Sequence, residues 1–94
     1  MKTLVWGATF LRAFKQGIRR HPELQQKVER ALQQLVEDPF HPKLHTHKLK
    51  GELTGVWACT VDYDTRILFE FVKNPDVGDE EIFLLTLGSH SEVY

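Results

Sequence analysis

Residues 55–72 read Gly55-Val56-Trp57-Ala58-Cys59-Thr60-Val61-Asp62-Tyr63-Asp64-Thr65-Arg66-Ile67-Leu68-Phe69-Glu70-Phe71-Val72. Two runs rich in β-branched and aromatic residues flank the polar segment Asp62–Thr65. Each run has the length of a strand, and so short a connection between them predicts a hairpin. Asn74-Pro75-Asp76-Val77-Gly78-Asp79 then makes a looser turn before a third run, 80–87. Three consecutive strands joined by short turns predict an antiparallel meander.

Upstream of residue 40 the apolar period changes. Thr3-Leu4-Val5-Trp6 reads as a strand stopped by Gly7, after which Phe10, Leu11, Phe14 and Ile18 recur at helical spacing to about Arg20. His21-Pro22 breaks that helix, because proline disfavours helical backbone in the residue before it and suits the start of a new helix. Leu24, Val28, Leu32, Leu35 and Val36 form the stripe of a second helix, closed by Asp38-Pro39. The polar, basic stretch from Phe40 to Glu52 follows neither period and predicts a connecting loop. The resulting β-α-α-β-β-β order predicts an α+β fold, with an antiparallel sheet carrying two helices packed on one face. No repeat or linker divides it, so residues 1–94 form one domain.

Composition narrows the functional classes. A chain of 94 residues with 41% hydrophobic content supports one core with a modest stability margin. Its single cysteine excludes an intramolecular disulfide, and the opening residues lack a secretory apolar segment, which together predict a cytoplasmic protein. No apolar run approaches the roughly 20 residues that a bilayer demands, so no membrane association is expected. The net charge of -1 conceals halves of about +6 and -7, for residues 1–50 and 51–94. Such asymmetry hints at nucleic-acid contact, although the two halves can equally attract each other within one fold.

Chemistry-bearing residues are few. Gly88-Ser89-His90-Ser91-Glu92-Val93-Tyr94 spaces an imidazole and a phenol so that one helical turn would put them on a common face. Histidine exchanges protons near neutrality, which makes His90 and Tyr94 a candidate acid/base pair, against the ordinary reading of a frayed tail. His41, His45 and His47 with His90 raise a zinc reading, but no CxxC, HExxH or second cysteine supports it, and neither metal nor cofactor is expected. Cys59 lies in a predicted strand and reads as a small buried residue. Trp6, Trp57, Phe69 and Phe71 read as packing residues. Lys48 and Lys50 alternate around Leu49, so in extended backbone both point the same way as candidate RNA-phosphate contacts, or simply as solubilising charges. Taken singly, Asp64 reads as a turn residue and Arg66 as half of a surface ion pair worth under about 1 kcal/mol.

Taken together, these residues acquire a pattern. Thr46-His47-Lys48-Leu49-Lys50-Gly51, Trp57, Tyr63-Asp64-Thr65-Arg66-Ile67-Leu68-Phe69 and the segment Gly88–Tyr94 resemble, in order, the motifs of the YafQ branch of the RelE/ParE toxin superfamily. The resemblance covers nearly the whole chain. It implies a toxin of a type II toxin–antitoxin pair that cuts messenger RNA on the ribosome and is silenced by an antitoxin, in a hetero-oligomeric complex. Position by position, it implies site roles for His47, Asp64, His90 and Tyr94, and Arg66 is similar to the arginine that RelE-type relatives carry at the start of this strand. Thr60 and Thr65 depart from the pattern, standing where YafQ-like chains carry a second histidine and a tryptophan.

Such a set supports metal-free cleavage, in which the ribose 2′-hydroxyl attacks phosphorus and the 5′-oxygen leaves with a proton. A positioned histidine supplies about 10²–10⁴-fold in such a step, and a guanidinium stabilises the charge that grows on the phosphoryl oxygens. The expected roles are His90 as general acid, His47 as general base (the two exchangeable), Arg66 on the phosphate, Asp64 orienting a histidine or a ribose, and Tyr94 on phosphate or base. Two alternatives stand beside this one: a non-catalytic ParE-type inhibitor of DNA gyrase, and a decayed toxin that only binds antitoxin. Architecture alone does not separate the three.

Overall fold

A computed structural model describes residues 2–51, 55–76 and 78–93. In chain order it contains β1 (Thr3–Trp6), α1 (Ala8–Arg20), α2 (Leu24–Glu37), a 3₁₀ turn (Pro42–Leu44), β2 (His47–Lys48), β3 (Trp57–Thr60), β4 (Thr65–Lys73), β5 (Glu80–Ser89) and the single-turn α3 (His90–Val93). The strands form one sheet in the order β1-β5-β4-β3-β2. The expected meander β3–β4–β5 is antiparallel. β1 instead runs parallel to β5, with Thr3 opposite Glu81, so the sheet is mixed rather than wholly antiparallel. That pairing reflects the two-helix crossover, which carries the chain back across the sheet before the meander begins.

β2 corrects the loop expected between 40 and 52. His47 pairs with Ala58 and Lys48 with Trp57, and the Leu49 N–H extends the ladder to the Val56 carbonyl at 2.9 Å. Two residues show no period, so only the partner strand reveals them as extended.

The helices cover one face. Val28, Leu32 and Leu35 of α2 and Phe10 of α1 pack on Cys59, Ile67, Phe69, Ile82 and Leu84, each such buried aliphatic or aromatic side chain contributing about 1.5–3 kcal/mol. Leu11, expected in the α1 stripe, is exposed, and Ala13 packs against the core in its stead. A bulge in β5 sets Thr86 opposite Leu68 but Leu84 opposite Phe69. The extra residue, Leu85, lets Leu84 and Leu87 both face the helices despite their odd spacing. Among the aromatic residues, Phe69 is buried and Trp57 and Phe71 pack at the core margin, whereas Trp6 is 41% exposed and holds Phe10 edge-on at 5.2 Å.

Gly7 makes the β1–α1 junction possible. Its N–H donates to the Leu84 carbonyl at 3.0 Å, and a Cβ at this position would lie 2.5 Å from that same oxygen. No side chain fits so close an approach to a central strand.

Candidate functional site

The β3–β4 hairpin is organised by Asp62. Its Oδ1 accepts the backbone N–H groups of Asp64 at 3.1 Å and Thr65 at 2.8 Å, and its Oδ2 receives Lys27 Nζ of α2 at 3.3 Å. Partial burial pushes the Asp62 carboxyl up, but hydrogen bonds from Thr65, Asp64 and Lys27 outweigh it and leave the group below the ordinary aspartate range. Asp62, rather than Asp64, therefore closes the turn. Among the described residues the Asp64 carboxylate makes no hydrogen bond or ion pair, so it remains available for other work.

The same hairpin docks the start of α3. The His90 N–H donates to the Asp64 carbonyl at 2.8 Å, one step beyond the pairing of Thr65 with Ser89. His90 and Asp64, far apart in sequence, are thereby neighbours. Arg66 follows at the base of β4, opposite Thr60 on one side and Gly88 on the other. Its Nη1 donates to the carbonyls of Asp62 at 2.9 Å, Thr65 at 3.1 Å and Tyr63 at 3.3 Å. The guanidinium thus braces the turn as well as bringing positive charge to it.

His47 lies at the sheet edge. By register it shares a row with Ala58 and Leu68, while Arg66 shares the next row with Thr60, on the same face away from the helices. Strand spacing separates the two Cα atoms by about 10 Å across the sheet and about 7 Å along it, and the Arg66 guanidinium, held on the hairpin carbonyls, lies on the side away from the His47 row. Across the sheet Arg66 is the middle member, with His90 two residues beyond its cross-strand partner Gly88 and His47 on the far side. His47 Nδ1 lies 2.8 Å from the His45 carbonyl. A carbonyl only accepts, so Nδ1 carries the proton and the basic lone pair of the neutral ring belongs to Nε2. His45 adopts a left-handed backbone, φ 48° and ψ 40°, directly before this segment, a conformation uncommon outside glycine and enriched at functional sites.

The remaining expected residues divide. Lys48 lies opposite Trp57, with Nζ 5.4 Å from the ring centroid in a cation–π contact, so it and His47 point to opposite faces. Lys50 is exposed beyond the end of β2. Tyr94 lies outside the described residues. The loop histidines do not converge on a metal: His41 Nδ1 accepts the Lys43 N–H at 3.1 Å, and among the described residues no group of three His, Cys, Asp or Glu side chains could hold an ion. Burial pushes the Cys59 thiol up to about 12, with a backbone hydrogen bond from Ile67 and the Arg66 charge acting in the other direction. A thiol so protected is no nucleophile at neutral pH.

Sequence reasoning passed over Tyr63. It is 97% exposed at the tip of the hairpin, beside a cleft of about 530 Å³ between that tip and the α1–α2 junction. An aromatic inside an otherwise polar turn was the available signal. No helix among the described residues is long and apolar enough to cross a membrane.

Comparison with known proteins agrees with this architecture. A family model described as the bacterial toxin of type II toxin–antitoxin systems, YafQ, matches residues 2–94. YafQ from E. coli strain BL21(DE3) superposes with a TM-score of 0.80 at 14% identity, covering 100% of this chain and 99% of that one. A YoeB/ParE toxin from Agrobacterium tumefaciens gives 0.76 at 18% identity over 96% of this chain and 99% of its own. A copper-bound mutant toxin from Helicobacter pylori gives 0.70 at 26% identity over the whole of both chains. No curated protein sequence matches the chain.

Proposed function

The chain belongs to the YafQ family of bacterial type II toxin–antitoxin toxins, and from that membership we propose that it is a ribosome-dependent endoribonuclease that cleaves messenger RNA without a metal ion. The observation that carries the reading is the hydrogen bond from His90 N–H to the Asp64 carbonyl, which draws an imidazole to the hairpin that bears Arg66. A phosphodiester held over the middle member, Arg66, has His90 on one side and His47 on the other. His47 Nε2 takes the proton of the 2′-hydroxyl, that oxygen forms the new bond to phosphorus, and the bond from phosphorus to the 5′-oxygen breaks as His90 supplies its proton. Arg66 keeps N–H groups beyond those on Nη1 for the phosphoryl oxygens. Asp64 accepts a ribose hydroxyl or orients the His90 ring, and Tyr94 completes the acid/base group. Lys50 contacts RNA phosphate, and Lys48, held over Trp57 on the face opposite His47, does so as well.

The partners follow. Messenger RNA on the ribosome is the substrate, and the cytoplasm is where the protein would meet it. A co-expressed antitoxin is its inhibitor, by analogy with the E. coli DinJ–YafQ complex, a neighbour with TM-score 0.78.

The test is to map new 5′ ends on a message in a translating extract supplied with excess chelator. The wild-type chain should cleave, and His90→Ala and His47→Ala should each lower the rate by about 10²–10⁴-fold with unchanged circular dichroism. Growth arrest that persists in His90→Ala without cleavage, accompanied by gyrase inhibition, would replace this reading with that of a binding toxin.

A further inference from the structure

The cleft beside the hairpin tip adjoins the candidate catalytic group and shares Asp64 with it. Its apolar lining comes from Ala13, Gly17, Leu24, Leu87 and Gly88, and Asp64 forms part of its rim. The rim is therefore continuous with the backbone junction that holds His90. Tyr63 stands at the mouth with its ring almost wholly in solvent.

One pair of opposite charges in the cleft cancels, and a second carboxylate has an imidazole beside it. Lys27 meets Asp62 at 3.3 Å, and His21 faces Glu23 at 3.7 Å. Arg20 and the Asp64 carboxylate are left over, since among the described residues neither makes an ion pair or side-chain hydrogen bond. One spare cation beside the carboxylates of Glu23 and Asp64 does not favour a phosphate, which the carboxylates would repel. They suit a neutral planar group that presents both acceptors and N–H donors, and an aromatic ring at the mouth suits a group with a π-face.

We propose that this cleft receives one unpaired nucleobase of the substrate, the base adjoining the scissile phosphodiester, stacked on Tyr63 and read at its edge by Arg20 and Asp64. The inference rests on the nuclease reading above. An RNA strand whose phosphate lies over Arg66 passes the hairpin tip on its way off the sheet, and its next base reaches the cleft one nucleotide later. Arginine and carboxylate side chains together match the acceptor and amino groups of a base edge, and unpaired bases stack readily on aromatic side chains. Catalysis on the sheet face and selection beside the helices would then share only the hairpin.

The test uses the full-length protein in the translating extract and messages that differ only in the nucleotides flanking the cut. Tyr63→Ala should lower cleavage about tenfold, within the range for loss of one base–aromatic stack, and Tyr63→Phe should restore it. Arg20→Ala should flatten the preference among bases at one flanking position while leaving the cut site itself unchanged. Both residues are exposed, so unfolding does not confuse the result, and melting curves check this. His90→Ala separates the two claims: if it still cleaves, the nuclease reading fails. If it is inactive while Tyr63→Ala and Arg20→Ala match the wild type in rate and preference, the base site is refuted. Weakened antitoxin binding with unaltered cleavage would likewise overturn it and assign the cleft to a protein contact.

Discussion

Asp62 joins the fold to the site, and replacing it with alanine separates positioning from chemistry. Its carboxylate accepts two backbone N–H groups and one lysine. Hydrogen bonds to a charged acceptor contribute about 1.5–3 kcal/mol when sheltered. At 28% side-chain exposure, solvent competition reduces each to roughly 1 kcal/mol, and the half-exposed Lys27 pair adds little. Asp62→Ala should therefore cost about 2 kcal/mol, and at 4–8 °C per kcal/mol for a domain of this size the melting temperature should fall by roughly 10 °C. Because the folded carboxyl titrates below its ordinary value, its contribution is present above the unfolded pKa of about 3.9 and is lost as pH falls through the lower folded value. The melting difference should thus be full at pH 7 and shrink below pH 4. Cleavage in the translating extract should drop as well, since the turn carries Asp64 and Arg66 and docks His90, although Asp62 touches no substrate. Thermal unfolding by circular dichroism from pH 2.5 to 7, with 5′-end mapping at pH 7, measures both. A variant that melts with the wild type at pH 7 and cleaves equally well would refute the role given to this carboxylate.

Gly7→Ala should lower the melting temperature by about 5–15 °C, the cost of overpacking against a backbone oxygen that cannot move aside. In Gly17→Ala the new methyl comes within 2.7 Å of Cδ2 of the buried Leu24, and a gain in helix propensity of about 1 kcal/mol offsets part of that contact; the same melts compare the two. Cys59 should react with a thiol reagent only at the rate of global opening, because its thiol is buried and pushed up to about 12; stopped-flow labelling across denaturant concentrations checks the coincidence with unfolding. The pH–rate profile of cleavage should be bell-shaped, with one limb lost in His47→Ala and the other in His90→Ala. Thr60→His, which places an imidazole opposite Arg66, should raise the cleavage rate measured in the same assay.

Periodicity alone revealed the helices, because Leu24, Val28, Leu32 and Leu35 repeat often enough to define a face. The strands of the hairpin were equally legible, with Asp62–Thr65 as their turn. Non-local features were not. β1 pairs with β5 across nearly the whole chain, a choice fixed by the helical crossover rather than by either strand's residues. β2 becomes a strand only through Ala58 and Trp57, and the bulge at Leu85 is settled by which leucines must face the helices. Candidate site residues were recognisable as motifs, whereas their partners were hidden. Nothing in Asp62-Tyr63-Asp64 says which aspartate closes the turn, and no local rule sends Arg66 Nη1 back to three carbonyls. Tyr63 stood within a quoted motif yet carried no role of its own, because an exposed aromatic has no period to belong to.

The parallel pairing of β1 with β5 also bears on synthesis. A ribosome makes the chain from its amino end, so Thr3 waits for Glu81 before the sheet can close, and the hairpin at Asp64 waits for His90. A truncated product that stops within the meander has neither a sealed edge nor the helical turn that begins at His90. Products that end before β5 would therefore neither close the sheet nor bring His90 to the hairpin.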